Sequence, residues 1–595
     1  MKKINKPAIL IVVSILLLQS SYGQVHNDMA DYLKQKFLRY SEAVPREEIF
    51  LHSDREEYIA GEDLWFNIYL IDRQSFKPTL NSRIAYFELL NAENRPVVQK
   101  RILLDKRFGP GHIVLPDTLS TGTYTIRAYT NWMKNFLPYN CFLKDITVYN
   151  TLSTKPFKGK FSTGNINEKE TGNKVAAGII NTGATLRVNN TKPDILEIFV
   201  NTHNKFRSEN NNLFYIFIQT HGNINYVGSE KMNDETTKVV ISKALLGRGI
   251  NQITIFNSKG KPVDERYIYT PVKENNIVTL HSVDSCNLRN KITLEIEVVN
   301  EASTALHSTN LSISVAPQTD APEIMDINDY MVFGTEYGTL GWNTIKGRKN
   351  IELISEVMDS ILLNVRSNWI NWETILSGDL PHFKYQIENE DHALFGKLLT
   401  NDQQEAHPNE FILLCTPGAE AGFQYTRTDN EGNFSFSIHI DEEHKDLIIM
   451  PDDVNNNGKI IIESSFSDQY LNSEIYVDSI NAPIPSNISK LSVNYQVRKI
   501  FGVSSLGGPL NPIIQPVQPI RFYGKPDIEL VMADYISLPV MEEVFFELLP
   551  HISLKKKNSI YEISITDRVD NSPYFTSPCL LIDGVIIKDA SLIAN

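Results

Sequence analysis

The stretch Glu48-Ile49-Phe50-Leu51-His52-Ser53-Asp54-Arg55-Glu56-Glu57-Tyr58-Ile59-Ala60-Gly61-Glu62-Asp63-Leu64-Trp65-Phe66 decides how the rest of the chain is read. It holds two runs rich in β-branched and aromatic residues, separated by a polar segment that ends in Gly61-Glu62. Such runs bounded by Gly and Asp signal short strands. Gly61 suits a turn because it lacks a Cβ, and alternation along a strand puts Trp65 at an expected inward position.

The pattern continues outward. Leu64 to Leu70, Ile84 to Leu89 and Tyr124 to Tyr129 are further β-branched and aromatic runs between Gly, Pro, Asn and Asp, at the spacing of a sandwich of short strands. On the N-terminal side, Met29, Leu33, Phe37 and Tyr40 recur at helical spacing, predicting a short amphipathic helix over 27–42. Residues 157–174, polar and Gly-containing, read as a linker. Strand runs resume at 196–200, 213–219, 239–242, 250–256 and 266–269, then at 278–281, 291–299 and 310–315. Leu353, Ile354, Val357, Met358, Ile361, Leu362 and Val365 switch to helical period. From 385 strands return, with a turn at Thr428-Asp429-Asn430-Glu431-Gly432. A Gly/Pro-rich stretch at 506–519 precedes a final block with a helix at 538–549 and strands at 561–566 and 579–582. The fold class expected is mainly β: tandem immunoglobulin-like β-sandwiches, a short helical insert and a small α/β C-terminal fragment.

At about 150 residues per domain, 595 residues make roughly four domains. Lys and Arg total 57 against 71 Asp and Glu, a formal charge of -14, and no strongly basic face stands out for phosphate binding, so no nucleic-acid partner is expected. Lys2, Lys3 and Lys6 precede an apolar run from Ala8 to Leu18, and Ser21-Tyr22-Gly23 supplies small residues for cleavage. This reads as an export signal spanning 1–23. Its removal takes away three lysines and no acids, moving the charge from -14 to -17. No later run is long enough to span a bilayer, so no transmembrane segment is expected in the mature chain. Cys141, Cys286, Cys415 and Cys579 lie more than a hundred residues apart and form no CxxC or zinc spacing.

Chemistry-bearing motifs are sparse. Asp453, Asn455 and Asn457, followed by Gly458, match the first half of a calcium loop, but Ser464 stands where the closing Glu belongs. A polar hairpin turn is the favoured reading, and calcium is the one cofactor candidate. His439 and His444 flank Asp441-Glu442-Glu443 without the spacing of a zincin. No GxSxG, GxGxxG or P-loop occurs, and the chain is expected not to be an enzyme. Tyr129 and Trp132, at a strand end, are candidate partner-binding aromatics, with closure of the sandwich end as the alternative.

The 48–66 stretch resembles the second macroglobulin domain of the alpha-2-macroglobulin superfamily: a strand, a Ser-Asp pair, a Tyr-x-x-Gly-Glu turn and a second strand. Leu115-Pro116-Asp117 and Gly122 to Trp132 look like the version found in exported proteins of Bacteroidetes-type bacteria. Residues 249–266 are similar to the strand-turn-strand that ends a following macroglobulin-like domain. Phe423 to Phe436 looks like a carboxypeptidase-regulatory sandwich, and Pro578-Cys579-Leu580-Leu581-Ile582-Asp583-Gly584-Val585 resembles the first strand of the plug of TonB-dependent receptors. There is no Cys-Gly-Glu-Gln thioester, and only eleven residues follow Gly584. The resemblance therefore implies neither covalent trapping nor a transporter, and the chain reads as a shortened relative of longer plug-containing proteins.

The expected organisation is a signal at 1–23, a helix at 24–43, a macroglobulin-like sandwich at 44–150, a linker at 151–176, a second such sandwich at 177–272 and a third β-rich domain at 273–345. A helical segment at 346–384, a regulatory-like sandwich at 385–490, a linker and helix at 491–548 and a plug-like fragment at 549–595 follow. The function expected is a non-enzymatic, exported binding or scaffold protein of the periplasm or outer membrane. Its partner would be an envelope or outer-membrane protein, in receptor-linked uptake or assembly. A macroglobulin-like protease inhibitor without a thioester, with a protease as partner, is the alternative.

Overall fold

The computed structural model describes residues 29–152, 183–271, 276–281, 290–300, 310–315, 326–338, 358, 361–389, 391–400, 405–418, 421–439, 446–452, 458–471, 486–501 and 522–594, apart from positions 80, 106, 107, 364, 559, 568 and 571. The signal, the 157–174 linker, the calcium candidates Asp453, Asn455 and Asn457, Cys286 and the acidic stretch 441–443 lie outside these residues. The chain is mostly β, in many small sheets. It divides into two units, Met1–Ile387 with Asp468–Val497, and Glu388–Ser467 with Arg498–Asn595.

The first sandwich comprises β1 (Glu47–Ser53), β2 (Glu57–Ile59), β3 (Asp63–Asp72), β4 (Lys77–Pro78), β5 (Ile84–Leu90), β6 (Pro96–Leu103), β7 (Phe108–Val114), β8 (Gly122–Thr130) and β9 (Phe142–Tyr149). In one sheet β3 pairs with β1, β4 and β7; the other runs β2-β9-β8-β5-β6, with β2 parallel to β9. Alternation on β3 sends Leu64, Phe66, Ile68 and Leu70 inward. Phe66 stacks on Phe87 of the facing sheet at 4.6 Å and 5°. Trp65 corrects the expectation of an inward ring. It occupies the opposite phase of the same alternation, is 42% exposed and stacks on His112 at 4.5 Å. Tyr124 is inward.

The second sandwich comprises β10 (Ala184–Asn189), β11 (Ile195–Thr202), β12 (Leu213–Thr220), β13 (Asn223–Lys231), β14 (Thr236–Ser242), β15 (Gly249–Asn257) and β16 (Pro262–Thr270). Its sheets run β10-β11-β14 and β13-β12-β15-β16. Every residue of β12 is buried, because both its faces are covered. Ile216 and Ile218 join the core with Ile198, Val200, Ile253 and Ile255. Tyr215 and Phe217 pack outward against Leu33 and Phe37 of the helix at 29–43 and against Trp372. That outer cover explains why the strand lacks the polar alternation of a one-sided sheet.

Two further strands, β17 (Asn276–His281) and β18 (Glu295–Asn300), form an antiparallel pair. Residues 310–315 have no ladder partner among the described residues. Within the stretch read as β-rich stands a helix, Ile327–Tyr337, broken at Gly334. A short helix, Trp372–Ser377, starts where the Asn371 side chain accepts from Glu373 N (3.0 Å) and Thr374 N (3.2 Å).

In the other unit, β19 (Asp391–Leu399), β20 (Phe411–Thr416), β21 (Gly422–Arg427), β22 (Asn433–His439), β23 (Ile448–Pro451) and β24 (Lys459–Ile462) form the sheets β22-β19-β24 and β21-β20-β23. They close on Leu398, Ile412, Leu414, Phe434, Phe436 and Ile438. Asp429 carries the predicted turn, accepting from Glu431 N (2.8 Å) and Asn433 N (2.9 Å). The tail holds a helix, Met541–Leu548, and the hairpins β25 (Ile552–Lys557) with β26 (Ile560–Ile565) and β27 (Leu580–Ile582) with β28 (Val585–Ile587). No helix among the described residues is long and apolar enough to cross a membrane.

Candidate functional site

The motif that announces the fold is a staple. Tyr58 Oη donates to Asp54 Oδ1 at 2.6 Å, and the same oxygen accepts from Trp65 N at 3.1 Å. Glu62 Oε2 accepts from Ile59 N at 2.9 Å and pairs with Arg55 Nη1 at 3.3 Å, while Gly61 takes φ +95 between them. These bonds satisfy the backbone where β1, β2 and β3 exchange direction, which a turn in a sandwich wall needs. Burial and the neighbouring Asp54 charge push the Tyr58 phenol up, so it stays a neutral donor.

Tyr129 and Trp132 are both inside. Tyr129 stacks on Tyr86 at 5.6 Å, donates to Glu88 Oε2 at 3.1 Å and lies under the Arg127 guanidinium. Trp132 donates from Nε1 to Pro45 O at 2.8 Å and packs on Phe383 at 4.7 Å. Neither ring reaches the surface, so the partner-binding expectation gives way to end-closure of the sandwich. Next to them Arg46 is enclosed by Phe136 and Trp369, at 4.6 and 5.1 Å from the ring centres. It donates to Tyr40 Oη (2.9 Å) and Trp369 O (3.0 Å).

A cluster of buried charge lies where β1, β3, the β12–β13 turn and the broken helix meet. Glu48 is fully buried. Its carboxylate accepts from Tyr330 Oη at 2.8 Å, from Thr335 Oγ1 at 3.0 Å and from Thr335 N at 3.1 and 3.2 Å. Gly334 permits this by taking φ +56 inside the helix, a backbone conformation that favours glycine. Arg73 donates to the carbonyls of Met331 and Val332. One residue beyond Thr335, Glu336 Oε2 meets His221 Nδ1 at 3.0 Å and Oε1 accepts from Ser367 Oγ at 2.7 Å. Burial raises the Glu48 pKa against the pull of Arg73. His221 is lowered to about 4 by burial and by Arg73, with Glu336 opposing. Burial pushes Glu336 up, but the His221 hydrogen bond and charge and Arg73 hold it below its ordinary value. Such perturbed groups mark functional sites or structural ion networks. Here each named carboxylate is engaged in tying segments together, and that is a structural use.

In the second unit, Ser465 Oγ lies 3.3 Å from His392 Nε2, and His392 Nδ1 lies 3.1 Å from Glu388 Oε1. The order matches a nucleophile, base and orienting acid. His392 and Glu388 are buried, and Glu388 Oε1 also accepts from Ala393 N at 2.9 Å. The string thereby ties the start of β19 to the residues after β24. Among the described residues no group of three or more His, Cys, Asp or Glu could hold a metal ion.

The surface that stands out is apolar. In the β17–β18 pair Val278 faces Val298 and Leu280 faces Ile296, which puts four aliphatic side chains on one face. Val278 and Leu280 are 57% and 54% exposed. Thr279, His281, Glu295 and Glu297 take the other face, with Val299 at its end. At 310–315, Ser312 Oγ meets His52 Nδ1 and the Tyr69 hydroxyl, both at 2.6 Å, while Leu311, Ile313 and Val315 are exposed. Contiguous exposed aliphatic faces mark interaction sites on soluble proteins. The sequence offered these residues as strands and carried no signal for their exposure.

No family model matches the chain, and no curated protein does. Solved structures give distant likenesses. Salmonella alpha-2-macroglobulin reacted with methylamine is 9% identical over 70% of this chain and 23% of its own, with a TM-score of 0.16. Escherichia coli alpha-2-macroglobulin activated by porcine elastase is 9% identical over 70% of this chain and 30% of its own, also at 0.16. The sporulation control protein Spo0M from Bacillus subtilis is 12% identical over 33% of this chain and 91% of its own, at 0.13. The chain thus spans less than a third of the length of the two macroglobulins.

Proposed function

We propose that the protein is an exported, multi-sandwich binding body of the bacterial cell envelope, acting by holding a protein partner rather than by catalysis. The aliphatic face of β17–β18 carries this reading, because it is apolar surface on a two-stranded sheet that has free edges among the described residues. Free edges present unpaired backbone donors and acceptors, and strand addition is an established way for such edges to bind. The Lys2, Lys3 and Lys6 start with its apolar run supports export. The resemblance of the C-terminal segment to a receptor plug supports an outer-membrane setting, in uptake or assembly.

The test is site-directed photo-crosslinking in the cells that make the protein, with the crosslinker at Leu280 or Ile313. A discrete crosslinked species in the envelope fraction, lost when Val278 and Leu311 are both replaced by Ser, is the expected result. Crosslinks absent at both positions, with the purified protein monodisperse, would sink the reading.

A further inference from the structure

The geometry points to a specific occupant for β18: an extended segment of a partner protein in which aliphatic residues alternate with Lys or Arg. This rests on the binding reading above and adds the edge and the chemistry of what it binds.

A two-stranded pair is marginal alone, and a third strand satisfies the open edge of β18 and widens the apolar face. Side chains alternate along an added strand as they do along β18. On the face shared with Val278, Leu280, Ile296 and Val298, an added strand meets aliphatic neighbours. On the other face it meets Glu295 and Glu297, both exposed, and then Val299 near the end of the strand. Across β17 these two face His281 and Thr279, and no cation is paired with either among the described residues. The β18 side is therefore the acidic side of the pair. Opposite charges directly across a ladder stabilise it and like charges destabilise it, so basic residues belong opposite the glutamates.

The same charges argue against a second copy of this chain. Two β18 strands paired about a twofold axis would bring the acidic residues of both copies onto one face. Each copy also carries a formal charge of -14. Partner discrimination through such repulsion is a common device.

The experiment uses the purified chain and two synthetic ten-residue probes, one alternating Val with Lys and one alternating Val with Glu, followed by fluorescence anisotropy and by hydrogen exchange at 295–300. The Val/Lys probe is expected to bind at least tenfold more tightly than the Val/Glu probe, to protect 295–300 and to weaken as salt rises. Replacing both glutamates, Glu295→Lys with Glu297→Lys, should invert the preference. These residues are exposed, and circular dichroism checks that the variant is folded. Equal binding of both probes, protection confined to other strands, or a dimer that forms through β18 would overturn the inference. If neither probe binds while the Leu280 crosslink persists, the basic-strand inference falls and the binding reading stands. If the crosslink is absent as well, both fall.

Discussion

Glu48 and Thr335 are joined by three hydrogen bonds across 287 residues of chain, two from the Thr335 backbone N–H and one from its hydroxyl. The contact depends on Gly334. A Cβ there would stand 2.8 Å from Glu48 Oε2 and 3.2 Å from Arg73 Cζ, at a positive φ. Gly334→Ala is expected to destabilise the first unit by about 2 to 4 kcal/mol, combining backbone strain with displacement of a buried carboxylate. Urea unfolding followed by tryptophan fluorescence measures it, and a loss under half a kcal/mol would contradict the contact.

Buried charge gives a second expectation. Arg127 Nη1 lies 3.0 Å from Glu88 Oε2, with both side chains almost wholly buried. Arg127→Met strands the carboxylate, which should cost about 3 to 5 kcal/mol. Adding Glu88→Gln removes the charge yet keeps an acceptor for Tyr129 Oη, so the double variant should be more stable than Arg127→Met alone. Additive losses in the cycle would refute the coupling.

The Tyr58 staple supplies a milder one. Tyr58→Phe removes a 2.6 Å bond to Asp54 but leaves the Trp65 N–H on the same oxygen, so about 1 to 2 kcal/mol should be lost. Asp54→Ala removes both bonds and should cost more. Equal losses would mean that the phenol alone holds the turn.

Acid should act on the seam through His221. Its folded pKa of about 4 lies below the ordinary 6.5, so the unfolded chain takes up the proton first. The stability linked to His221 is then present above about pH 6.5 and drains away as pH falls toward 4. Glu48, raised by burial, works in the opposite sense: its share is present at low pH and lost as pH rises through its folded value. Glu336, held low, loses its share only as pH falls below the ordinary carboxylate range. Unfolding midpoints measured between pH 7 and pH 4.5 should therefore decline less for His221→Gln than for the natural chain. Parallel declines would remove His221 from the account.

What the sequence made legible was local. Alternation at Leu64, Phe66, Ile68 and Leu70, the turn at Gly61 and the Asp429 hairpin all depend on neighbours within a few residues, and each is where its pattern puts it. Trp65 was misplaced because a large apolar ring outweighed the phase of its own strand. Tyr129 and Trp132 looked like surface anchors because aromatic residues at a strand end serve either use; the residues that enclose them, Glu88, Pro45 and Phe383, lie up to 251 positions away in the chain. The charge seam carried no local signal at all. Glu48, Arg73, His221 and Glu336 stand far apart in the sequence, and their meeting requires two sandwiches and a broken helix to be in place first.

That separation has a consequence for how the molecule comes into being. A chain synthesised N-terminus first delivers Glu48 nearly 290 residues before Thr335. Until the later segment arrives, the early sandwich must keep this carboxylate in water or bury it without its hydrogen bonds, and burial without them is costly. Completion of the first sandwich is thus deferred to the arrival of a helix made much later, and closure over so long a stretch of chain is slow.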